Sequence, residues 1–206
     1  MNKIYLVRHG NIPRIAGDPS ITELGVKQAK FTASNLQDKL ITKIYCSTSK
    51  RAQETTQIIA DKLKIKRITL DDRLKERFYW GDDPSQSFEE FIAEWKKTTL
   101  DRNYKPHVGD SCRQAGKRLK KFIDELKISS EDKNILLITH GGVIMDLLRN
   151  LYDDDYLKLF SPNFLNLGIG ECSITQLISH DNTYALEAFD FVTHLPQTLR
   201  QRVPIW

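Results

Sequence analysis

The sequence predicts an α/β fold with a doubly wound, mostly parallel central sheet flanked by helices. Short apolar runs that read as buried strands alternate along the chain with segments whose apolar residues recur at helical spacing. Two of these runs, residues 4–7 and 135–138, are each followed closely by a glycine, as expected for a tight exit from a strand. No internal repeat or low-complexity linker interrupts the pattern, so we expect residues 1–206 to form one domain.

The first half of the chain alternates between predicted strands and helices. The first strand is a short apolar run, and the second helix places its apolar residues on one face. Thr22 has the residue type and position of a helix N-cap. The predicted elements are a strand at 4–7, a helix from 22 to about 36, a strand at 43–46, a helix with Ala52, Ile59 and Leu63 on one face, and a strand at 65–70.

The second half contains a long connection. Residues 71–84 carry charges and aromatic residues without a regular period and are predicted as loop. Residues 77–109, the insertion segment below, separate two core elements by more than a usual connection, so we interpret them as a lid or insertion. The other predicted elements are helices at 88–95 and 111–126, a strand at 134–139, a helix to about 151, and strands at 172–178 and 184–189.

Composition excludes several classes of protein. Hydrophobic residues make up 40% and charged residues 28% of the chain, as in soluble globular proteins. The apolar runs are too short to cross a bilayer, and Met1 is followed by no signal-peptide pattern, so we expect a cytoplasmic protein without a membrane partner. Cys46, Cys112 and Cys172 are odd in number and lack CxxC spacing, which predicts three reduced, mostly buried thiols.

The net charge of +4 has two explanations. It is either a positive field that collects anionic substrates or an accident of surface composition. Basic residues are interspersed with acidic ones and form no aromatic-rich stripe, so we expect no nucleic-acid partner. Trp206 near the end of the chain covers either an interface or the protein's own surface, which leaves a homodimer open.

Two histidines occur in matching contexts. His9 and His140 each come directly after a predicted apolar strand and are each followed by glycine. Because the carboxyl ends of parallel strands form the ligand crevice of an open α/β sheet, both imidazoles are expected at one site. A single histidine at a strand end often only satisfies a backbone group, but two in matching positions favour a functional site.

Arginines accompany these histidines. Arg8 adjoins His9, and Arg51 begins the helix after the second strand. No HxH, HxxE or Asp-rich spacing accompanies either histidine, so we expect no metal and no cofactor. Imidazole with guanidinium groups suits phosphoryl transfer, where a nucleophile is placed in line and oxygen charge is neutralised. The helix that begins near Gly141 adds amide N–H groups at its positive end, so Gly141 is a candidate substrate-binding residue.

Five segments resemble, in the same order, the motifs of the histidine phosphatase superfamily, which includes the cofactor-dependent phosphoglycerate mutases. The RHG tripeptide alone would be a weak signal, but five segments in order across most of the chain are highly specific. They are Leu6-Val7-Arg8-His9-Gly10, Thr22-Glu23-Leu24-Gly25 with Gln28-Ala29, Ser47 through Lys50-Arg51-Ala52 with Gln53 and Thr55, Gly109-Asp110-Ser111, and Ile138-Thr139-His140-Gly141-Gly142.

The resemblance implies catalytic roles. His9 would attack phosphorus and become phosphorylated, with a backbone acceptor on its other ring nitrogen fixing the tautomer. Arg8, Arg51 and a protonated His140 would hold the phosphoryl oxygens, although the arginines would tend to lower the pKa of that histidine. Glu76, in the segment Leu74-Lys75-Glu76-Arg77 that is similar to the family's LxE pattern, would be the general acid and then the base. Asp82 and Asp83 are the alternatives for that role, and Glu76 would then be a solvated surface carboxylate.

The chain departs from the family pattern at two places. Asn11 stands where many members have glutamate, and it is interpreted either as a phosphate binder or as an ordinary loop residue. Arg77-Phe78-Tyr79 resembles the mutases' Arg-His-Tyr, with Phe78 replacing the histidine. Arg77 would then hold a substrate carboxylate or pair with a carboxylate such as Asp82. Phe78, Tyr79 and Trp80 would either stack on a ligand or pack the insertion segment down.

The sequence therefore predicts a metal-independent phosphatase that acts on a small phosphorylated metabolite. A phosphoglycerate mutase is the first alternative, but the chain is shorter than typical mutases and lacks their longer insertion after His9. A non-catalytic binding or regulatory domain, or a protein phosphatase, on the same fold is the other alternative.

Overall fold

The structure is a computed structural model that describes residues 2–126, 134–180 and 183–200. Its described residues form one six-stranded sheet. The strands are β1 (Asn2–Arg8), β2 (Ile41–Cys46), β3 (Ile68–Leu70), β4 (Asn134–Thr139), β5 (Ile174–His180) and β6 (Thr183–Phe191). The helices are α1 (Glu23–Leu36), α2 (Lys50–Leu63), α3 (Phe88–Leu100), α4 (Cys112–Glu125), α5 (Gly141–Leu151), α6 (Asp154–Lys158) and α7 (Phe164–Leu167).

The strand order is β3-β2-β4-β1-β5-β6. The four strands from β3 to β1 pair in parallel, while β5 is antiparallel to β1 and to β6. Only residues 181 and 182 separate β5 from β6, which is too short for the crossover that a parallel pair requires. The predicted α/β class with a largely parallel sheet is confirmed, and the sheet is mixed at the β5–β6 edge.

Helices cover both faces of the sheet. On one face, the sheet packs against α4 and α5, and Leu6 and Leu137 belong to this core. On the other face it packs against α1 and α2, and Val7 and Ile138 belong to that core. Successive strand residues thus enter opposite cores because strand side chains alternate between faces. This arrangement confirms the doubly wound prediction.

Local sequence signals set most helix ends. The Thr22 hydroxyl accepts the amide hydrogen of Gly25 at 3.1 Å, which is the predicted cap of α1. Ser87 and Ser111 cap α3 and α4 in capping boxes with Glu90 and Gln114. These bonds satisfy amide groups that would otherwise lack partners in the first turn of each helix.

Several predicted boundaries need correction. The strand predicted at 65–70 covers only Ile68–Leu70, because Lys64 adopts a left-handed conformation (φ 60°) and Ile65 still bonds to the Ala60 carbonyl at the end of α2. Helix α3 continues five residues beyond 95, to Leu100. Strand β5 begins at Ile174 rather than 172, since Cys172 has a positive φ of 53°. The short helices α6 and α7 were not predicted.

The insertion segment contains α3, where the sequence predicted a helix at 88–95. Its aromatic residues form a small core in which Phe78, Phe91 and Trp95 are buried, with Trp80 and Phe88 packed against them. The assignment of the whole chain to one domain with a lid stays a prediction.

Other sequence expectations concern the thiols, membranes and the C terminus. The three cysteines are free and buried, as predicted. No described helix combines the length and apolar composition needed to cross a membrane. The suggested role of Trp206 at an interface falls outside the described residues.

Candidate active site

The two strand-end histidines meet at the carboxyl edge of the sheet. His9 follows β1 and His140 follows β4, and these two strands are parallel neighbours. The His9 amide donates to the Thr139 carbonyl at 3.0 Å, and the two imidazole centroids lie 5.1 Å apart with the rings inclined at 64°. The site therefore begins with a pair of adjacent rings that the strand order brings together.

The hydrogen bonds of His9 define its tautomer. Its side chain is almost completely buried, Nδ1 lies 2.8 Å from the Gly10 carbonyl oxygen, and Nε2 lies 3.3 Å from Nε of Arg51, which is a donor. Since a carbonyl can only accept, the proton belongs on Nδ1 and the lone pair on Nε2. Burial, followed by the charges of Arg51 and Arg8, holds the pKa of His9 well below its usual range. The ring is therefore neutral near pH 7 and has a lone pair on Nε2.

His140 is also neutral but has one unpaired nitrogen. Its Nε2 lies 2.8 Å from the Ser47 hydroxyl, while its buried Nδ1 has no partner among the described residues. Burial, followed by the charge of Arg51, holds the pKa of His140 well below its usual range. The protonated form that the sequence suggested thus requires a further negative charge beside the ring.

Two arginines place positive charge beside the histidines. Arg51 lies in the first turn of α2, is 3% exposed, and pairs with Asp18 at 2.9 Å. Its guanidinium also lies 4.3 Å from the centroid of the Tyr79 ring. Arg8 donates to the Ile169 carbonyl and lies 4.0 Å from Glu171. Both arginines keep further N–H groups that can donate hydrogen bonds to an oxyanion.

Glu76 lies against the beginning of α5. Its two carboxylate oxygens accept the amide hydrogens of Arg77 at 2.9 Å and Gly142 at 2.8 Å. A Cβ atom at position 142 would lie 2.5 Å from the Glu76 carboxylate, so glycine permits this approach. The alternatives Asp82 and Asp83 do not line the cleft that contains His9; they bond instead to Tyr79 and Ser85 in their own loop.

Asn11 and Gly141 line the same cleft, and their role in substrate binding stays a prediction. The Asn11 amide nitrogen, however, donates to Glu171 at 2.9 Å, and its oxygen accepts the Thr22 hydroxyl at 2.6 Å. Its side chain is therefore already bonded within the protein. A Cβ atom at position 141 would come within 3.2 Å of the Arg8 side chain.

Arg77 does not occupy the place that the sequence suggested. Its guanidinium is buried, pairs with Asp146 at 3.2 Å, donates to Thr99 at 2.7 Å and lies 3.7 Å from the Trp95 ring centroid. It is thus directed into the packing between the insertion segment and α5, and not toward a substrate carboxylate or Asp82. The sequence near Arg77 gives no signal of this ion pair, because its partner Asp146 is distant in the chain.

The five predicted catalytic residues differ in exposure to the cleft. A cleft of about 420 Å³ is lined by Arg8, His9, Arg51 and Glu76, whereas His140 is fully buried beside His9. Half-buried apolar side chains form much of the remaining wall. These are Ile12, Pro13, Trp80, Phe88, Ile92 and Leu167.

Sequence reasoning missed two carboxylates near the arginines. Asp18 pairs with Arg51, and Glu171 lies between Arg8 and Asn11. Both come from loops without a recognisable motif, so the sequence offered no specific signal for either. Across residues 2–126, 134–180 and 183–200, no group of three or more His, Cys, Asp or Glu side chains forms a metal-binding cluster.

One family model matches residues 4–191 of the chain, and its description is the histidine phosphatase superfamily (branch 1). The chain is 31% identical over 208 residues to "Probable phosphatase C1687.21" of Schizosaccharomyces pombe, which covers 94% of this chain and 95% of that protein. It is 30% identical over 162 residues to "Probable phosphoglycerate mutase GpmB" of Yersinia pestis, which covers 73% of this chain and 75% of that protein.

Solved structures are similar over nearly the full chain. Mycobacterial glucosyl-3-phosphoglycerate phosphatase in complex with inorganic phosphate matches with a TM-score of 0.74 and 25% identity. The match covers 94% of this chain and 99% of that one.

Proposed function

This chain belongs to the histidine phosphatase superfamily, and we propose that it hydrolyses phosphomonoesters of small metabolites through a phosphohistidine at His9. The observation that carries the proposal is the tautomer of His9. Its Nδ1 proton bonds to the Gly10 carbonyl, and its Nε2 lone pair lies beside Arg51. A neutral imidazole with a fixed lone pair and an adjacent guanidinium suits attack on a phosphate ester.

In the first step, the Nε2 lone pair of His9 forms a bond to phosphorus. The bond from phosphorus to the ester oxygen breaks, and Glu76 in its acid form gives that oxygen a proton. Arg8, Arg51 and the orphaned Nδ1 of a protonated His140 hold the phosphoryl oxygens. The anion supplies the negative charge that His140 needs to become protonated.

In the second step, the Glu76 carboxylate takes a proton from water while the water oxygen attacks phosphorus. The bond from phosphorus to Nε2 breaks, and the electron pair returns to His9. Inorganic phosphate leaves, and Glu76 is again in its acid form. The backbone amides of Arg77 and Gly142, which donate hydrogen bonds to its carboxyl oxygens, keep Glu76 in one position through both steps.

The relatives support this reaction class. One is named a probable phosphatase, and one similar solved structure is a phosphatase in complex with inorganic phosphate. Phosphoglycerate mutase activity is the second candidate, since another relative carries that name. Against it, Arg77 is bonded to Asp146 and is not available to hold a carboxylate. Activity on 3-phosphoglycerate, measured with and without 2,3-bisphosphoglycerate, separates the two candidates.

The replacement His9→Ala tests the proposal. We expect the wild type to hydrolyse p-nitrophenyl phosphate, to form an acid-labile phosphoenzyme and to be unaffected by EDTA, and we expect His9→Ala to lose all turnover. His107→Ala is the matched control, because His107 is exposed and lies outside the cleft. A His9→Ala protein that keeps even a few per cent of the activity contradicts the assignment of the nucleophile. Absence of both hydrolysis and phosphoenzyme in the wild type would favour a non-catalytic domain.

A further inference from the structure

Away from the proposed phosphate site, the cleft is lined mainly by apolar side chains. Six half-buried apolar side chains line it, and helix α3 contributes two of them, Phe88 and Ile92. Trp80 packs against Phe88 with ring centroids 4.9 Å apart. Leu167 lines the cleft from α7. Apolar side chains that remain partly exposed inside a cleft favour a ligand group that covers them with carbon.

Two polar side chains beside this wall, Asn11 and Glu171, are already bonded within the protein, whereas the buried Nε1 of Trp95 has no partner among the described residues. Asn11 and Glu171 bond to each other at 2.9 Å, and the second Glu171 oxygen accepts from Gln28 at 3.2 Å. The Asn11 oxygen accepts the Thr22 hydroxyl. A polyhydroxylated group would compete with the Asn11 and Glu171 bonds, and most of its hydroxyl groups would face the apolar side chains of the wall, which is unfavourable in a confined site.

Beyond Arg8 and Arg51, which the proposed function assigns to the phosphate, the described lining of the cleft offers a substrate carboxylate only an exposed cation. Arg77 is buried against Asp146, and Glu171 adds a negative charge beside Arg8. Arg14 lines the cleft but is exposed, so its attraction for an anion is weakened by solvent.

We infer that the substrate is a phosphomonoester whose alcohol part is apolar and about as large as a ring system. The inference rests on the proposed function, because the ester phosphate must first lie against His9, Arg8 and Arg51. The alcohol part then covers the apolar wall, where it displaces water without needing hydrogen-bond partners.

Two matched pairs of esters test this inference. Hexyl phosphate and glucitol 6-phosphate are both primary esters on a six-carbon chain and differ in their hydroxyl groups. 2-Naphthyl phosphate and phenyl phosphate are both aryl esters and differ in apolar area. We expect kcat/KM to be at least about tenfold higher for hexyl phosphate than for glucitol 6-phosphate, and higher for the naphthyl than for the phenyl ester.

Variants of the apolar wall test whether its side chains cause the expected preference for apolar esters. Ile92→Asn and Leu167→Asn change two different elements, so the failure of one variant to fold leaves the other. Each should reduce the kcat/KM ratio of hexyl phosphate to glucitol 6-phosphate by about tenfold. Leu100→Asn is the matched control, because Leu100 lies on the same helix as Ile92, is 67% exposed and is outside the cleft. It should keep the wild-type ratio.

The outcomes separate the inference from the proposed function. Hydrolysis of all four esters without a preference for the apolar members overturns the inference of an apolar substrate. The proposed phosphatase activity would still stand. A wild-type preference that both wall variants retain also overturns it, since the preference would then arise elsewhere. Failure to hydrolyse any ester, p-nitrophenyl phosphate included, overturns the proposed function and the inference with it.

Discussion

At the scale of single residues, the candidate chemistry depends on contacts that fix a few atoms. The Gly10 carbonyl sets the tautomer of His9, and the Ser47 hydroxyl occupies Nε2 of His140. The absence of a side chain at Gly142 is equally important, because the Glu76 carboxylate and the Trp95 ring occupy the space of a Cβ atom. Position 142 therefore controls where the proposed general acid lies.

The substitution Gly142→Ala should displace Glu76. A methyl group there would lie 2.5 Å from a carboxylate oxygen and 2.8 Å from the Trp95 ring. We expect kcat for alkyl phosphates to fall by about a hundredfold, because their alkoxide needs a proton, and kcat for p-nitrophenyl phosphate to fall much less. Glu76→Ala should give the same pattern. Equal slowing of both kinds of ester would contradict the acid role of Glu76.

At the scale of elements, a buried ion pair joins the insertion segment to α5. Arg77 and Asp146 are both almost fully buried, and Arg77 also donates to Thr99 on α3. Helix α5 thus contains both Gly142, which leaves space for the Glu76 carboxylate, and Asp146, which pairs with Arg77. The position of the insertion segment relative to the site depends on this contact.

Removal of one partner of this ion pair should lower the free energy of unfolding. Asp146→Ala leaves the Arg77 guanidinium buried without its counter-charge, and we expect the free energy of unfolding to fall by about 3–5 kcal/mol. Urea denaturation followed by circular dichroism measures the change. Asp155→Ala, which removes the exposed partner of Lys158 on α6, is the control and should have no measurable effect. A similar small effect for both variants would mean that the buried pair does not hold the insertion segment.

At the scale of the whole molecule, two helical layers bury the sheet and leave its carboxyl edge for the site. The same burial takes His9 and His140 out of water, which is the largest cause of their lowered pKa values. Because the unfolded chain binds protons at these histidines in the ordinary range near pH 6.5 and the folded protein does not, acidification through that range favours unfolding.

This linkage gives a prediction for acid stability. Between about pH 7 and pH 5, the free energy of unfolding of the wild type should fall by about 2 kcal/mol more than that of His140→Gln, which lacks one buried histidine. Denaturant titrations at several pH values measure the difference. His107→Gln, at an exposed position, should follow the wild type. Parallel curves for wild type and His140→Gln would show that His140 binds protons equally well in both states.

The sequence alone was sufficient for the fold class and for the centre of the candidate site. Apolar periodicity predicted the buried strands β1 and β4 because core burial imposes it on the chain, and the carboxyl-edge rule then placed His9 beside His140. Arg8 and Arg51 lie beside predicted strand ends, whereas Glu76 was implied by the resemblance of its segment to the LxE pattern of the family. Local patterns and the family resemblance therefore predicted the residues that the structure brings together around His9.

Only the tertiary structure decided which of these residues already have partners. Arg77 is bound by Asp146 from α5, and Asn11 by Glu171 from a late loop. The apolar wall likewise combines the loop after β1, the insertion segment and α7. These contacts join residues far apart in the chain, and a long-range contact leaves no period or motif at either end. The sequence therefore indicated the reaction class, whereas the pairing of distant side chains shaped the rest of the pocket.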